Sequence, residues 1–224
     1  MTFLQEITLR YPVCATRFES LAANLTKQLG GCRSDFREEG VGRFALPYLV
    51  HVCVSCGYAG QSDQFDDSID ITPELRARIY SELSSRMLAP TTTARPMPLT
   101  GSEKYEAAAK IAEWQHADVR LVAELWLRAA WCCDDENDTE AERYFRRKAA
   151  WAFNEALESY DSIPASERAT ITYLIGELWR RIGDDEQANQ WFDRVPDEIV
   201  DFKAQEYILA VTRRQAEEPG EWLP

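Results

Sequence analysis

Apolar residues recur at helical spacing from Gly101 onward in this 224-residue chain. No other feature narrows the possible folds as much. Val122, Leu125, Trp126, Ala129, Ala130 and Cys133 fall at i, i+3, i+4, i+7, i+8 and i+11, which places them on one face of a helix. Phe153, Ala156, Leu157 and Tyr160 continue the pattern, as do Ile171, Leu174, Ile175, Leu178 and Ile182. Gly183-Asp184 then breaks the period. Glu186 to Phe192 restarts it with Ala188, Trp191 and Phe192 inward, and a last helix is predicted over 197–216. Amphipathic helices bury their stripes by packing on one another, so this half is expected to be all-helical.

A weak internal repeat sharpens that expectation. Glu124-Leu125-Trp126 returns as Glu177-Leu178-Trp179. Each copy runs on through an acidic stretch, Asp134-Asp135-Glu136 or Asp184-Asp185-Glu186, and reaches an aromatic pair, Tyr144-Phe145 or Trp191-Phe192. Helix, tight turn, then a helix with alanine and aromatics is the grammar of tetratricopeptide-like antiparallel hairpins. A plain helical bundle is the alternative. Trp114, Trp126, Trp131, Trp151, Trp179 and Trp191 all lie in this half and are expected mostly in its core.

The first part of the chain is built differently. Leu46-Pro-Tyr-Leu-Val-His-Val-Cys53 is rich in β-branched and aromatic residues and reads as a strand. Phe18 to Leu29 reads as a short helix, with Leu21, Leu25 and Leu29 four residues apart and Gly30-Gly31 at its end. Thr72-Pro73-Glu74 opens a further helix by capping chemistry, with Leu75, Ile79, Leu83 and Met87 as its stripe. Residues 89–100 hold three prolines and four threonines without periodicity, and read as a linker. The expected organisation is a small zinc-ribbon-like α+β module over 1–88, a linker over 89–100 and a helical domain over 101–224. The fold class is therefore mainly α.

Chemistry concentrates in two half-matching knuckles, Tyr11-Pro-Val-Cys14 and Cys53-Val-Ser-Cys56-Gly57. A Cys-x-x-Cys turn can aim two sulfurs at one ion, and a structural zinc takes four ligands. Cys14, Cys53 and Cys56 supply three. Cys32, beside Gly30-Gly31, is the expected fourth, with His51 as its substitute because it lies two residues before Cys53 on the predicted strand. Tyr11 is a poor zinc ligand. A water in the fourth position would make an open, hydrolase-like site. A metal-free relic and a thiol-redox pair are the remaining readings. Cys132-Cys133 sit on a helix, where adjacent side chains diverge, and read as buried filler.

Charge argues against some partners. Residues 1–100 carry 10 Lys+Arg and 11 Asp+Glu, whereas residues 101–224 carry 15 and 27. The acidic half repels phosphate backbones and favours a protein or peptide partner, a basic one by charge. No run of about 18 apolar residues occurs, so no spanning helix and no membrane partner are expected. The first residues lack the basic and apolar regions of a signal peptide, which points to the cytoplasm. There is no phosphate loop, no Gly-x-Ser-x-Gly and no His-Glu-x-x-His. Asp63 to Asp70 lacks calcium-loop spacing, and His116 sits before Asp118 at a helix junction.

Pro12-Val-Cys14 with Arg17-Phe18, Ser34-Asp35-Phe36, Pro47-Tyr48, and Cys53-Val-Ser-Cys56-Gly57-Tyr58-Ala59 with Phe65 form a set. With Leu127-Arg-Ala-Ala-Trp131, Glu140, Gly176-Glu-Leu-Trp-Arg-Arg-Ile-Gly183 and Ala188, the chain resembles the bacterial family of domain of unknown function 2225. That resemblance implies paired cysteine knuckles followed by tetratricopeptide-like helices, and no activity. Tyr11 stands where that family has cysteine, and Val54 where it commonly has proline. The function expected is a non-enzymatic interaction scaffold with a structural zinc. A zinc-dependent hydrolase using an open three-cysteine site, and a nucleic-acid-binding ribbon, are the alternatives.

Overall fold

A computed structural model describes residues 2–15, 17–25, 29–40, 45–65, 71–84, 99–159 and 161–223. The protein is mainly α, with a small N-terminal module of antiparallel strand pairs. β1 (Thr2–Arg10) pairs with β2 (Arg17–Leu25) in one unbroken register, from Thr2↔Leu25 to Arg10↔Arg17. The helix expected over Phe18–Leu29 is therefore strand from Phe18 to Leu25, Leu29 begins the next strand, and 26–28 lie outside the described residues. A spacing of four residues is also a multiple of two, so leucines placed every four residues suit a strand face equally well. The partner strand β1 decides between the two.

β3 (Leu29–Cys32) and β4 (Glu38–Gly40) form a second hairpin, and β5 (His51–Val52) and β6 (Ala59–Gly60) a third. The strand expected from Leu46 to Cys53 shrinks to β5. Leu46–Tyr48 is instead a 3-10 turn with Pro47 in its first positions, where a fixed φ and a missing N–H suit a helical start. Helix α1 (Pro73–Glu82) begins as expected, with Thr72 accepting a hydrogen bond from the Leu75 amide. Met87 and most of the expected linker, 89–98, lie outside the described residues.

The remaining helices are α2 (Gly101–Trp114), α3 (Val119–Glu136), α4 (Thr139–Glu158), α5 (Ala165–Ile182), α6 (Asp185–Arg194) and α7 (Phe202–Glu217). Each packs on the next, and α5 also packs on α7. The last helix opens at Phe202 with Asp201 as its cap; residues 195–198 form a separate 3-10 turn. α3–α4 and α5–α6 are joined by the same device. Asn137 and Gly183 are left-handed, and Asp138 and Asp184 then cap the following helix through Ala141 and Gln187 amides. The repeat thus aligns on these turns. Asp134-Asp135-Glu136 closes α3, whereas Asp185-Glu186 opens α6, so the acidic stretches are not equivalent. No helix among the described residues is long and apolar enough to cross a membrane.

One apolar core runs through both parts of the chain, from Tyr11, Val13, Ile79 and Leu83 to Tyr105, Trp126 and Phe153. A second cluster joins Ala169, Tyr173, Phe192, Leu209 and Val211. Of the tryptophans expected in the core, Trp126 and Trp191 are buried, Trp114, Trp131 and Trp179 are half-buried, and Trp151 is exposed. Cys132 and Cys133 are both buried, as expected. α2 meets the N-terminal module through Tyr105, whose hydroxyl donates to the Leu46 carbonyl (3.1 Å), and Lys104, whose ammonium donates to that of Pro47 (2.8 Å).

The loop from Arg33 to Arg37 is driven like a plug into the helices. Asp35 and Arg146 are both 0% exposed, and Arg146 Nη1 donates to Asp35 Oδ2 at 2.8 Å. The Trp131 indole donates to the same oxygen at 2.9 Å. Ser34 Oγ donates to Glu177 (2.6 Å) and accepts from Arg181 (2.7 Å), while the Tyr173 hydroxyl reaches the Ser34 carbonyl at 2.9 Å. Arg37 holds Asp135 at 2.7 Å, and Arg33 holds Asp134. Burial pushes the Asp35 carboxyl up, but the Arg146 and Arg181 guanidiniums outweigh it and hold the group well below the usual carboxylate range. Removing one partner of a buried ion pair strands the other charge. Asp35→Ala is therefore expected to cost about 3–5 kcal/mol in urea unfolding, and Asp35→Ala with Arg146→Met to recover part of that. Because the folded pKa of Asp35 is depressed, its contribution is complete above the unfolded value near 4. It is lost only as pH falls through the lower folded value. The stability gap between the parent and Asp35→Asn should stay constant from about pH 8 to pH 5 and narrow below about pH 4.

Candidate metal centre

The two knuckles share one backbone turn. The Ala15 amide donates to the Tyr11 carbonyl at 2.8 Å, and the Gly57 amide to the Cys53 carbonyl at 2.9 Å. Both closing residues are left-handed, with φ of 58° at Ala15 and 81° at Gly57. Tyr11 thus occupies the place in the first turn that Cys53 holds in the second, and Cys14 matches Cys56. Gly57 is needed twice over. Its φ disfavours a side chain, and a Cβ there would lie 2.5 Å from Leu83 Cβ on the turn that ends α1. Ala15 is exposed, so its Cβ meets only the backbone strain.

These turns bring Cys14, Cys53 and Cys56 together, with all three sulfurs within 4.8 Å of one another. Cys14 and Cys53 Sγ are 3.6 Å apart. Amides of Ser55 (3.3 Å) and Cys56 (3.4 Å) point at Cys53 Sγ. A hydrogen bond from Cys56 is the main cause holding the Cys53 thiol below its ordinary value, with those amides adding to it. The same bond, with burial, pushes the Cys56 thiol up. Sulfurs bound tetrahedrally to one zinc stand about 3.8 Å apart, given a Zn–S distance of about 2.3 Å. The cluster is already near that size, so these residues could hold a metal ion.

Neither expected fourth ligand joins them. Cys32 lies on β3, where its thiol faces the Arg33 carbonyl at 3.6 Å and its own carbonyl accepts from the Leu223 amide at 2.9 Å. That hairpin is committed to the helical half, which carries Cys32 away from the knuckles. His51 is buried, with Nδ1 2.8 Å from Ser20 Oγ. The alternation that would put it beside Cys53 fails because β5 ends at Val52. Burial, and then the nearby Lys104 ammonium, bring its pKa down to about 4, so it is neutral.

Tyr11, the residue that stands where a first-knuckle cysteine would, is held by packing instead. Its ring stacks on Phe18 (centroids 3.9 Å apart) and meets the edge of Phe65 at 5.3 Å. Its hydroxyl donates to the Val52 carbonyl at 2.7 Å. Burial, followed by the negative charge of the cysteines, pushes its pKa up, so it remains a phenol.

Sequence reasoning missed the Ser34-Asp35 plug and its helical partners. Arg146 and Glu177 gave a readable signal: both are charged residues in the apolar phase of their helices, among Ala149, Ala150 and Phe153, and among Leu174 and Leu178. A charge in that phase needs a partner from elsewhere in the chain.

Residues 4–218 match the family described as an uncharacterized protein conserved in bacteria (DUF2225), and the chain belongs to that family. No curated protein and no solved structure matches it. The two closing residues predict opposite responses. Gly57→Ala should destabilise the protein by about 2–4 kcal/mol through strain and overpacking. Ala15→Gly should be neutral or stabilise it by up to about 1 kcal/mol, both read as shifts in urea midpoint.

Proposed function

We propose that this member of the family is a non-enzymatic interaction protein of the bacterial cytoplasm. In this reading zinc closes a ribbon-like N-terminal module through Cys14, Cys53 and Cys56. The tetratricopeptide-like hairpins α3–α4 and α5–α6 offer a surface to a protein partner. The observation that carries the reading is the convergence of three thiols, two of them fully buried, from two turns of identical backbone form. Zinc bound there would cross-link the two turns without redox chemistry of its own. The protein's own part is to present the sulfurs at metal spacing, to stabilise the Cys53 thiolate with amides, and to shield the cluster with the Tyr11, Phe18 and Phe65 rings. Tyr11 donates its hydroxyl hydrogen bond to the Val52 carbonyl and contributes packing rather than a fourth thiolate. The repeated left-handed turn and aspartate cap support the helical-repeat reading, since identical joints let successive hairpins stack in one direction. A net charge of −13 favours a basic segment on that surface.

Metal analysis of protein purified without chelator tests the metal half of this reading. About one zinc per chain is expected in the parent and in Cys32→Ser, with loss in Cys14→Ser and Cys56→Ser. Tyr11→Cys should bind zinc more tightly in a chelator competition, because it restores a fourth thiolate. A metal-free parent, or loss of metal in Cys32→Ser, would overturn the assignment.

A further inference from the structure

Residues 221–223 lie against β3 as a bound peptide lies against a sheet edge. The Ser34 amide donates to the Glu221 carbonyl at 2.8 Å and the Leu223 amide to that of Cys32 at 2.9 Å, pairing Arg33 with Trp222 in antiparallel sense. The side chains are read in turn. The Glu221 carboxylate sits 2.9 Å from the Arg33 guanidinium. The Trp222 ring lies over Gly31, whose φ is +145° and where a Cβ would be 3.3 Å from the ring. Leu223 packs against the second apolar cluster. Main-chain bonds to a strand edge, with alternate side chains taken up by distinct contacts, describe peptide recognition by strand addition.

The segment is also joined to the fold by a break. α7 stops at Glu217, and Pro219-Gly220 follow, with Gly220 clasped on both its N–H and C=O by the Gln215 side chain at 2.9 and 3.1 Å. Nearly half of Trp222 remains exposed, 47%. So this occupant fills the edge with its backbone yet buries its largest side chain incompletely. The site beneath it is built from buried groups, Arg33 and Ser34, which also carry the plug into the helices.

We propose that the β3 edge from Gly31 to Ser34 is a recognition groove for an extended acidic–aromatic–aliphatic segment of a partner protein, which Glu221-Trp222-Leu223 occupies in cis. A short tether gives the cis segment an effective concentration on the order of millimolar. A partner therefore succeeds by completing the aromatic contact that Trp222 leaves half made. The groove goes beyond the helical-surface reading above and stands without it, since it depends on neither the metal nor the stacked hairpins.

The test uses the full chain and a fluorescent peptide with the sequence of residues 217–224. A Trp222→Ala, Leu223→Ala chain, with its cis segment weakened, is expected to bind the peptide one to one. The parent chain should bind at least about tenfold more weakly, because its groove is filled. A peptide carrying alanine in place of its tryptophan should lose about tenfold in affinity for the vacated chain. Hydrogen exchange on the parent supplies an independent readout. The Ser34 and Leu223 amides should exchange faster than amides in the middle of α4 and α5, through local opening. No binding to a folded vacated chain, or unfolding of that chain, or Ser34 and Leu223 protection equal to that of α4 and α5, would each overturn the proposal.

Discussion

The fold turns on the ion pair between Asp35 and Arg146. Hairpin β3–β4 is too short to have a core of its own, and it stays in place because its loop is the missing polar filling of the helical half. Arg146 projects inward from α4, Glu177 and Arg181 from α5, and the Trp131 indole from α3. Without the loop these would be charged and polar groups sealed among apolar helices. The loop without the helices would leave Asp35 and the Ser34 carbonyl unpaired. Each half thus supplies partners to the other, although Asp35 Oδ1 and Arg146 Nη2 are buried without a hydrogen bond among the described residues, and the gain lies in fixing one arrangement of the three helices rather than in raw Coulomb energy, which desolvation largely offsets. Phe36, left-handed at φ 62° and packed on Tyr173, turns the chain so that Asp35 and Arg37 both face inward.

The thiol cluster solves a similar problem at the other end of the module. Strand pairs of two or three residues cannot hold their own register, so two turns must be tied by something stronger than hydrogen bonds. Three thiols at metal spacing offer one tie. A knot of aromatic rings offers the other: Phe65 touches Tyr11, Phe18, His51 and Tyr58. Tyr11 belongs to both. Where a fourth sulfur would bond a metal, it contributes ring stacking and one hydrogen bond to a carbonyl. The N-terminal module is therefore held partly by packing even at its cysteine end, and its burial against Leu83 ties that packing to α1.

Periodicity made most of the helical half legible, and capping chemistry marked the start of α1 at Thr72. Asp118, Asp138 and Asp184 cap later helices in the same way, each a short polar side chain ahead of an apolar stripe. The grouping of Cys14, Cys53 and Cys56 was legible too, since a tight turn is local and its spacing survives folding. What could not be read there was set by distant chain. β2 looks helical until β1 is laid beside it. Cys32 looks like a ligand until its hairpin is seen plugged into α3, α4 and α5. His51 shares a face with Cys53 only if the strand continues, and it does not. The repeat was visible but misaligned, because the Glu-Leu-Trp words are more conspicuous than the left-handed residue and aspartate that make the turn.

The proposed zinc would meet three thiols, Cys14, Cys53 and Cys56, and no fourth. Zinc-edge X-ray absorption on the purified chain measures that directly. The expected result is a shell of three sulfurs at about 2.3 Å with one lighter donor. A shell of four sulfurs would bring back a cysteine that the fold places elsewhere, and a shell of nitrogen and oxygen alone would remove the knuckles from the site altogether.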